Sequence, residues 1–151
     1  MKRRESPEYI EEKKLVEELL ISSRAMTGPL QIKGRELTER AGKQTALWEA
    51  NTPKYVEHEP EYLTLLRAVT STKQEINGLL SEHVEEQKRL EQLRLETSKR
   101  DQAAMLSAYK QIRAFYEMDA EFKSHLRALN EDCEMAVQKL EEFVEQLVGG
   151  R

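Results

Sequence analysis

Asp119 interrupts an apolar helical pattern in the stretch "YKQIRAFYEMDAEFKSHLRAL", Tyr109 to Leu129. A carboxylate in apolar surroundings has a raised pKa and can act as a general acid, provided that a second polar group converges on it. At roughly 100° per residue, Asp119 lies on one flank of the apolar stripe, where Lys123 can pair with it one turn later. No other polar group lies within two turns on that face. We therefore expect Asp119 to have a structural or register-setting role.

The other residues with chemical potential are three histidines and one cysteine. His58, His83 and His125 show none of the HExxH or CxxC spacings of metal sites, and His83 is expected to be a partly buried packing residue. Cys133 lies between acidic residues that would raise its thiol pKa, which favours a small core residue over a nucleophile. "GPLQIKG" lacks the GKS/T order of a phosphate loop. The sequence thus predicts no catalytic residue, no cofactor and no metal site.

Ser6 in "RRESP" is a candidate phosphorylation site, because two arginines precede it and a proline follows it. Phosphate there would lie at the positive end of a helix. The simpler interpretation, which we favour, is that Ser6 caps the helix that begins at Pro7.

Composition limits the class of protein. The 151 residues are 34% charged, 38% hydrophobic and 6% aromatic, a balance typical of helices that each bury one stripe. The net charge of -4 argues against nucleic-acid binding. A single cysteine, an N-terminus without an apolar signal segment and the lack of an 18-residue apolar run indicate a cytoplasmic protein without a transmembrane segment. A nuclear or cytoskeleton-associated location is the alternative.

Gly28 and Pro29 predict the end of an N-terminal amphipathic helix, so residues 1-27 form the first segment. Residues 28-59 are expected to be an irregular connector with a short helix from about Arg35 to Ala50. Trp48 in this connector either anchors it to the long helices, which we favour, or forms a contact for a partner.

Residues 60-151 carry the heptad pattern. Val69, Ile76, His83 and Leu90 recur every seven residues, and from Met105 to Leu147 thirteen positions alternate in steps of three and four, all apolar or thiol except Asp119. The two registers differ by one residue. The region is therefore either one continuous helix or an antiparallel hairpin with a turn near residues 96-102, and we favour the hairpin.

The predicted fold is all-α: an elongated helical bundle or an antiparallel helical hairpin with coiled-coil character, plus the N-terminal amphipathic helix. The predicted function is that of a non-catalytic coiled-coil scaffold or adaptor subunit, which assembles a multiprotein complex by packing its seam against helices of other proteins or of a second copy. The expected protein-interaction residues are Met105, Ile112, Phe115, Phe122, Leu126, Leu129, Leu140, Phe143, Leu147 and Trp48.

Two alternatives come from other classes. The first is a compact regulatory helical domain that completes its own core and binds a small GTPase or a peptide through the Trp48 region. The second, less favoured, is an amphipathic membrane-surface module, which would need a lysine-rich polar face. Six acids against one lysine between Glu131 and Glu145 also suggest a basic partner for the C-terminal arm.

Overall fold

Four helices make up most of the chain. The structure, a computed structural model, describes residues 5–149, and for residues 22–27 it describes the backbone alone. The helices are α1 (Pro7–Asn51), α2 (Glu59–Thr97), α3 (Gln102–Glu117) and α4 (Asp119–Val148). Two short 3-10 turns, Thr52–Lys54 and Val56–His58, connect α1 to α2. Residues 5–149 contain no strand, which confirms the predicted all-α class.

The helix end predicted at Gly28 is wrong, because α1 continues through Gly28 and Pro29 to Asn51. Gly28 does not adopt the left-handed conformation that would cap a helix. A proline inside a helix costs roughly 3 kcal/mol, but helices in proteins are stabilised mainly by tertiary packing. Leu37 and Trp48, which are 1% and 3% exposed, supply that packing beyond the proline. The irregular connection is therefore limited to residues 52–58 rather than 28–59.

The turn between α2 and α3 falls inside the segment 96–102, where a hairpin turn was one of two alternatives. Asp101 caps α3, since its Oδ1 accepts a hydrogen bond from the backbone N–H of Ala104 at 2.9 Å. A second break separates α3 from α4 at Met118, whose φ of −84° and ψ of 2° leave the helical region. Neither glycine nor proline marks this second break, so the sequence did not predict it.

The chain groups into two compact units, and α1, α2 and the α3–α4 region contribute to each. Unit 1 comprises Met1–Gly28 and Leu80–Ser124. In unit 1, α1 runs parallel to α3, because Ser6 contacts Gln102 and Glu12 contacts Arg113. Its core contains Val16, Leu90, Tyr109 and Ile112, one or two from each of the three helices.

Unit 2 comprises Pro29–Leu79 and His125–Arg151. Here α1 runs parallel to α4, because Arg40 reaches Glu141 and Gln44 reaches Glu145. The α2 helix is antiparallel to α1, with Trp48 stacked on Tyr62 at 4.2 Å between ring centroids. The largest fully buried side chains of α4 in this unit are Leu126, Cys133, Val137, Leu140 and Val144.

The buried stripe of α3 and α4 is wider than a coiled-coil seam. Beside the two predicted rows, a third row at seven-residue spacing is buried or half-buried: Tyr109, Tyr116, Lys123, Asn130, Val137 and Val144. A strict two-row seam faces one partner helix, whereas three positions in seven face the core of a globular bundle. In each unit the extra row is explained by contact with two neighbouring helices of the same chain.

Candidate functional site

Asp119, Lys123 and His83 lie close together in unit 1, where Asp119 and Lys123 are buried and His83 is half-buried. Asp119 is the first residue of α4, directly after the break at Met118, and Lys123 follows one turn later. A carboxylate in the first turn of a helix is favoured by the macrodipole. His83 comes from α2, within unit 1. The break thus places the carboxylate at a helix start that faces α2.

The pair of Asp119 and Lys123 is tight and shielded from solvent. Lys123 Nζ lies 2.5 Å from Asp119 Oδ2, and the two side chains are 5% and 10% exposed. This contact confirms the pairing that the four-residue spacing predicted. An ion pair with so little solvent access has paid a large desolvation cost, which is why removal of either partner should be destabilising.

His83 packs its ring against two phenylalanines next to this pair. Its ring centroid lies 3.8 Å from that of Phe122, in a stacked arrangement, and 4.9 Å from that of Phe115. The Nε2 atom lies 3.9 Å from Asp119 Oδ1, which is beyond hydrogen-bond distance. The expectation that His83 is a partly buried packing residue is confirmed.

Burial lowers the pKa of His83. Desolvation is the main cause; the Asp119 carboxylate opposes it by raising the pKa, and the Lys123 ammonium lowers the pKa further. The ring is therefore neutral near pH 7. At 3.9 Å from His83 Nε2, Asp119 Oδ1 is buried without a hydrogen-bond partner.

The chemistry open to this cluster is limited by access. A neutral imidazole beside a carboxylate is the arrangement of a general base, but a base needs a reacting group within hydrogen-bond reach. A cavity of about 600 Å³ in unit 1 is lined by residues that include Leu20, Arg94 and Tyr109, and His83 is not among them. The structural role expected of Asp119 stays a prediction.

The predicted interaction residues lie inside the chain. Ile112, Leu126, Leu129, Leu140 and Trp48 are buried, and Met105, Phe115, Phe122, Phe143 and Leu147 are half-buried. The helices that pack against them belong to the same chain. The sequence could not show this, because its heptad pattern does not say whose helices complete the core. Their role in binding a partner stays a prediction.

Trp48 anchors the end of α1, which was the favoured of its two interpretations. Its ring stacks on Tyr62 and approaches Phe143 at 6.2 Å between centroids, and His58 contacts Phe143 from the other side of the connection. At 3% exposure the tryptophan has no free face for a ligand.

Ser6 caps α1, as predicted. The backbone N–H of Tyr9 donates to Ser6 Oγ at 3.1 Å, and the Ser6 N–H donates to Gln102 Oε1 at 2.7 Å. Its phosphorylation stays a prediction.

A charged network in unit 2 was not predicted from the sequence. Arg40 binds two carboxylates of α4, with N–O distances of 2.6 Å to Glu141 and 2.8 Å to Glu134. Lys33 lies 2.8 Å from Glu134 on its other side. The hydrogen bonds that Arg40 donates to Glu141 and Glu134 raise the pKa of Arg40, and the hydrogen bonds that Glu134 accepts from Lys33 and Arg40 lower the pKa of Glu134. The pairs are about 100 residues apart in sequence, so no local spacing rule could find them.

This network leaves less negative charge on the C-terminal arm for a basic partner. Glu134 and Glu141 are paired with cations of α1, and Glu145 accepts a hydrogen bond from Gln44. Half of the six acids that suggested a basic partner are thus engaged inside unit 2.

In the part of the chain that the structure describes, no group of three or more His, Cys, Asp and Glu side chains is arranged to hold a metal ion. Within the same residues, no helix has both the length and the apolar character needed to cross a bilayer. No protein-family model, curated protein or solved structure matches the chain.

Proposed function

We propose that the chain is a non-catalytic helical scaffold or adaptor that binds other proteins through side chains outside its own core. The observation that supports this most strongly is the division of its apolar residues. The seam is covered by helices of the same chain, while several large apolar side chains remain at the surface. A domain that has completed its own core does not need a partner helix to fold.

In unit 1 the outward apolar residues of α1 share one face. Ile10 and Ile21 are 50% and 72% exposed. They are eleven residues apart, which is three helical turns and about 20°, so both lie on the side of α1 turned away from the buried Val16. Lys14 and Glu17 fall between them on the same face. This face offers a partner helix two apolar contacts separated by one charge of each sign.

The proposal differs from assembly through the seam in the state of the isolated protein. We expect a monomer that unfolds in a single cooperative transition, measured by sedimentation equilibrium and differential scanning calorimetry. A stable oligomer, with a melting temperature that rises with protein concentration, would instead favour seam-mediated assembly.

The partner surface can be tested with a charge-introducing double variant. Full-length protein carrying Ile10→Lys and Ile21→Lys should keep its circular dichroism spectrum and melting temperature but lose the partners that the parent protein cross-links in a cell extract, identified by mass spectrometry. Met118→Lys is the matched control, because Met118 is 60% exposed in the same unit. Retention of every cross-linked partner by the double variant would refute the α1 face as the contact.

A chain that completes its own core also fits the regulatory-domain alternative. It differs in using the Trp48 region, and the buried tryptophan gives no support to that contact. Binding of a single ligand with loss or gain of Trp48 fluorescence would favour it over the scaffold.

A further inference from the structure

The exposed face of α1 in unit 1 has the spacing of a coiled-coil seam. Its residues follow one another in steps of four, three and four, and all four are exposed: Ile10, Lys14, Glu17 and Ile21. Side chains at this spacing lie in one row along a helix and can interdigitate with those of a second helix. The row spans about 16 Å, since a helix rises about 1.5 Å per residue.

The two ends of this row are apolar and uncovered. Ile10 is 50% exposed and Ile21 is 72% exposed, whereas Val16 on the opposite side of the helix packs in the core of unit 1. Removal of apolar surface from water is the main favourable term in protein association. A helix that covers this row therefore needs an apolar side chain at each end.

The middle of the row carries one charge of each sign, and both charges are available to another chain. In the described part of unit 1, the ion pairs of α1 use Glu8 and Glu12, which bind cations of α3. Neither Lys14 nor Glu17 forms an ion pair within the described residues. A helix with the opposite charge at each of these two positions would complete both pairs.

A second copy of this chain supplies that pattern if the two helices run in opposite directions. The order along the row is apolar, positive, negative and apolar, so its reversal places isoleucine against isoleucine and each charge against the opposite charge. In a parallel pair, Lys14 would face Lys14 and Glu17 would face Glu17, and like charges placed opposite each other are unfavourable. Polar residues within a seam fix orientation and register in this way.

We propose that two copies of the chain associate through this face of α1, with the two helices antiparallel. Ile10 of each copy packs against Ile21 of the other. Lys14 of each copy pairs with Glu17 of the other, and a twofold axis relates the two halves of the contact. The inference rests on the proposed function, since it names the partner helix for the α1 face.

The contact is small, because it comprises two apolar layers and two ion pairs. Contacts of this size give weak and transient complexes. We therefore expect the purified protein to be a monomer at micromolar concentration and to form the dimer near millimolar concentration.

Charge variants test the pairing, with the dimer measured by sedimentation equilibrium of the full-length protein. Lys14→Glu should weaken the dimer by about tenfold or more, because both ion pairs become repulsive. The double variant Lys14→Glu with Glu17→Lys restores opposite charges and should dimerise as the parent does. Lys139→Glu, which changes an exposed lysine of unit 2, is the control for net charge and should leave the dimer unchanged.

Two results would overturn the pairing. One is a parent protein that stays monomeric near millimolar concentration. The other is a double variant that dimerises no better than Lys14→Glu, because opposite charges would then not be what the contact requires. All of the changed side chains are exposed, so circular dichroism should show the parent spectrum for each variant.

Disulfide trapping tests the orientation. Protein carrying Ile10→Cys is mixed with protein carrying Ile21→Cys near millimolar concentration under mild oxidation, and the products are identified by mass spectrometry. The native Cys133 is 1% exposed and is shielded from this reaction. We expect the disulfide to join one variant to the other, since position 10 faces position 21. Disulfides that join mainly like variants would indicate a parallel pair and would overturn the proposal.

These measurements use purified protein alone and are independent of partner capture from a cell extract. Absence of the dimer together with intact capture of other proteins would refute the self-association alone. A dimer without any other captured protein would refute the scaffold proposal and leave the α1 face as a contact between copies.

Discussion

In unit 1, the carboxylate of Asp119 is buried, paired with one lysine and approached at 3.9 Å by a neutral histidine, whereas in unit 2 Arg40 holds two carboxylates at 2.6 and 2.8 Å. The Lys123 side chain is 5% exposed and that of Arg40 is 26% exposed. The Asp119–Lys123 pair is therefore more shielded from solvent and leaves Asp119 Oδ1 without a hydrogen-bond partner, whereas the Arg40 network is more exposed and makes hydrogen bonds to both of its carboxylates. The comparison shows that a charged group with more contacts does not have to contribute more to the free energy of unfolding.

The largest effect is expected from Lys123→Met. Removing the lysine leaves the Asp119 carboxylate buried without a counter-charge, which should lower the free energy of unfolding by about 3–5 kcal/mol. Urea denaturation followed by circular dichroism measures this. The double variant Lys123→Met with Asp119→Leu should recover most of the loss, because both charges are then absent. A single variant that costs less than about 1 kcal/mol would show that the pair is better hydrated than its burial indicates.

Arg40→Met should cost less, although it removes more contacts. Both carboxylates that it binds can be solvated once it is gone, so we expect a loss of about 1 kcal/mol. The same denaturation experiment applies. If Arg40→Met proves more damaging than Lys123→Met, the comparison between the two units is reversed.

The two regions should also respond to different ranges of pH. His83 has a lowered pKa when folded, so the unfolded state binds the proton more tightly, and its contribution to stability is lost as the pH falls below about 6.5. Glu134 has a folded pKa below 4.5, so its contribution is present above that value and is lost as the pH falls beneath it.

Unfolding free energies measured from pH 8 to pH 3 check this. Below about pH 6.5, the parent protein should lose stability relative to His83→Phe. Below pH 4.5, the stability advantage of the parent over Glu134→Gln should disappear. Parallel curves for the parent and His83→Phe would contradict the neutral, desolvated ring.

The smallest effect is that of salt. At 1 M salt the screening length is about 3 Å, and accessible pairs are screened more than buried ones. The cost of Arg40→Met should therefore shrink by a few tenths of a kcal/mol, while that of Lys123→Met should stay constant. Equal salt dependence of the two variants would place both networks in similar contact with solvent.

Rules that apply within a single helix predicted the contacts that form within a single helix. The pairing of Asp119 with Lys123 follows from their spacing on α4, and the cap at Ser6 follows from its place before Pro7. The approach of His83 did not follow, because it depends on how α2 is aligned against α4, and that alignment is set by packing of the whole core. The same holds for Arg40 and its carboxylates.

The failure at Gly28 and Pro29 has a related cause. Both residues oppose a helix by their intrinsic propensity, and the prediction of a helix end used that propensity correctly. Leu37 and Trp48 outweigh it by packing, which no window of the sequence around the proline reveals. The third buried row of α3 and α4 was missed because Lys123 and Asn130 occupy it, and their polarity hides it in the heptad pattern.

The parallel alignment of α1 with α3 and α4 has a consequence for biosynthesis. The contacts from Ser6 to Gln102 and from Arg40 to Glu134 and Glu141 join residues that are 94 to 101 positions apart. During translation α1 is made before α3 and α4, so the part of its inner face that these two helices cover stays open until they are made, and non-local pairings of this kind slow folding. For that interval the nascent chain exposes an uncovered apolar face, on which chaperones could act.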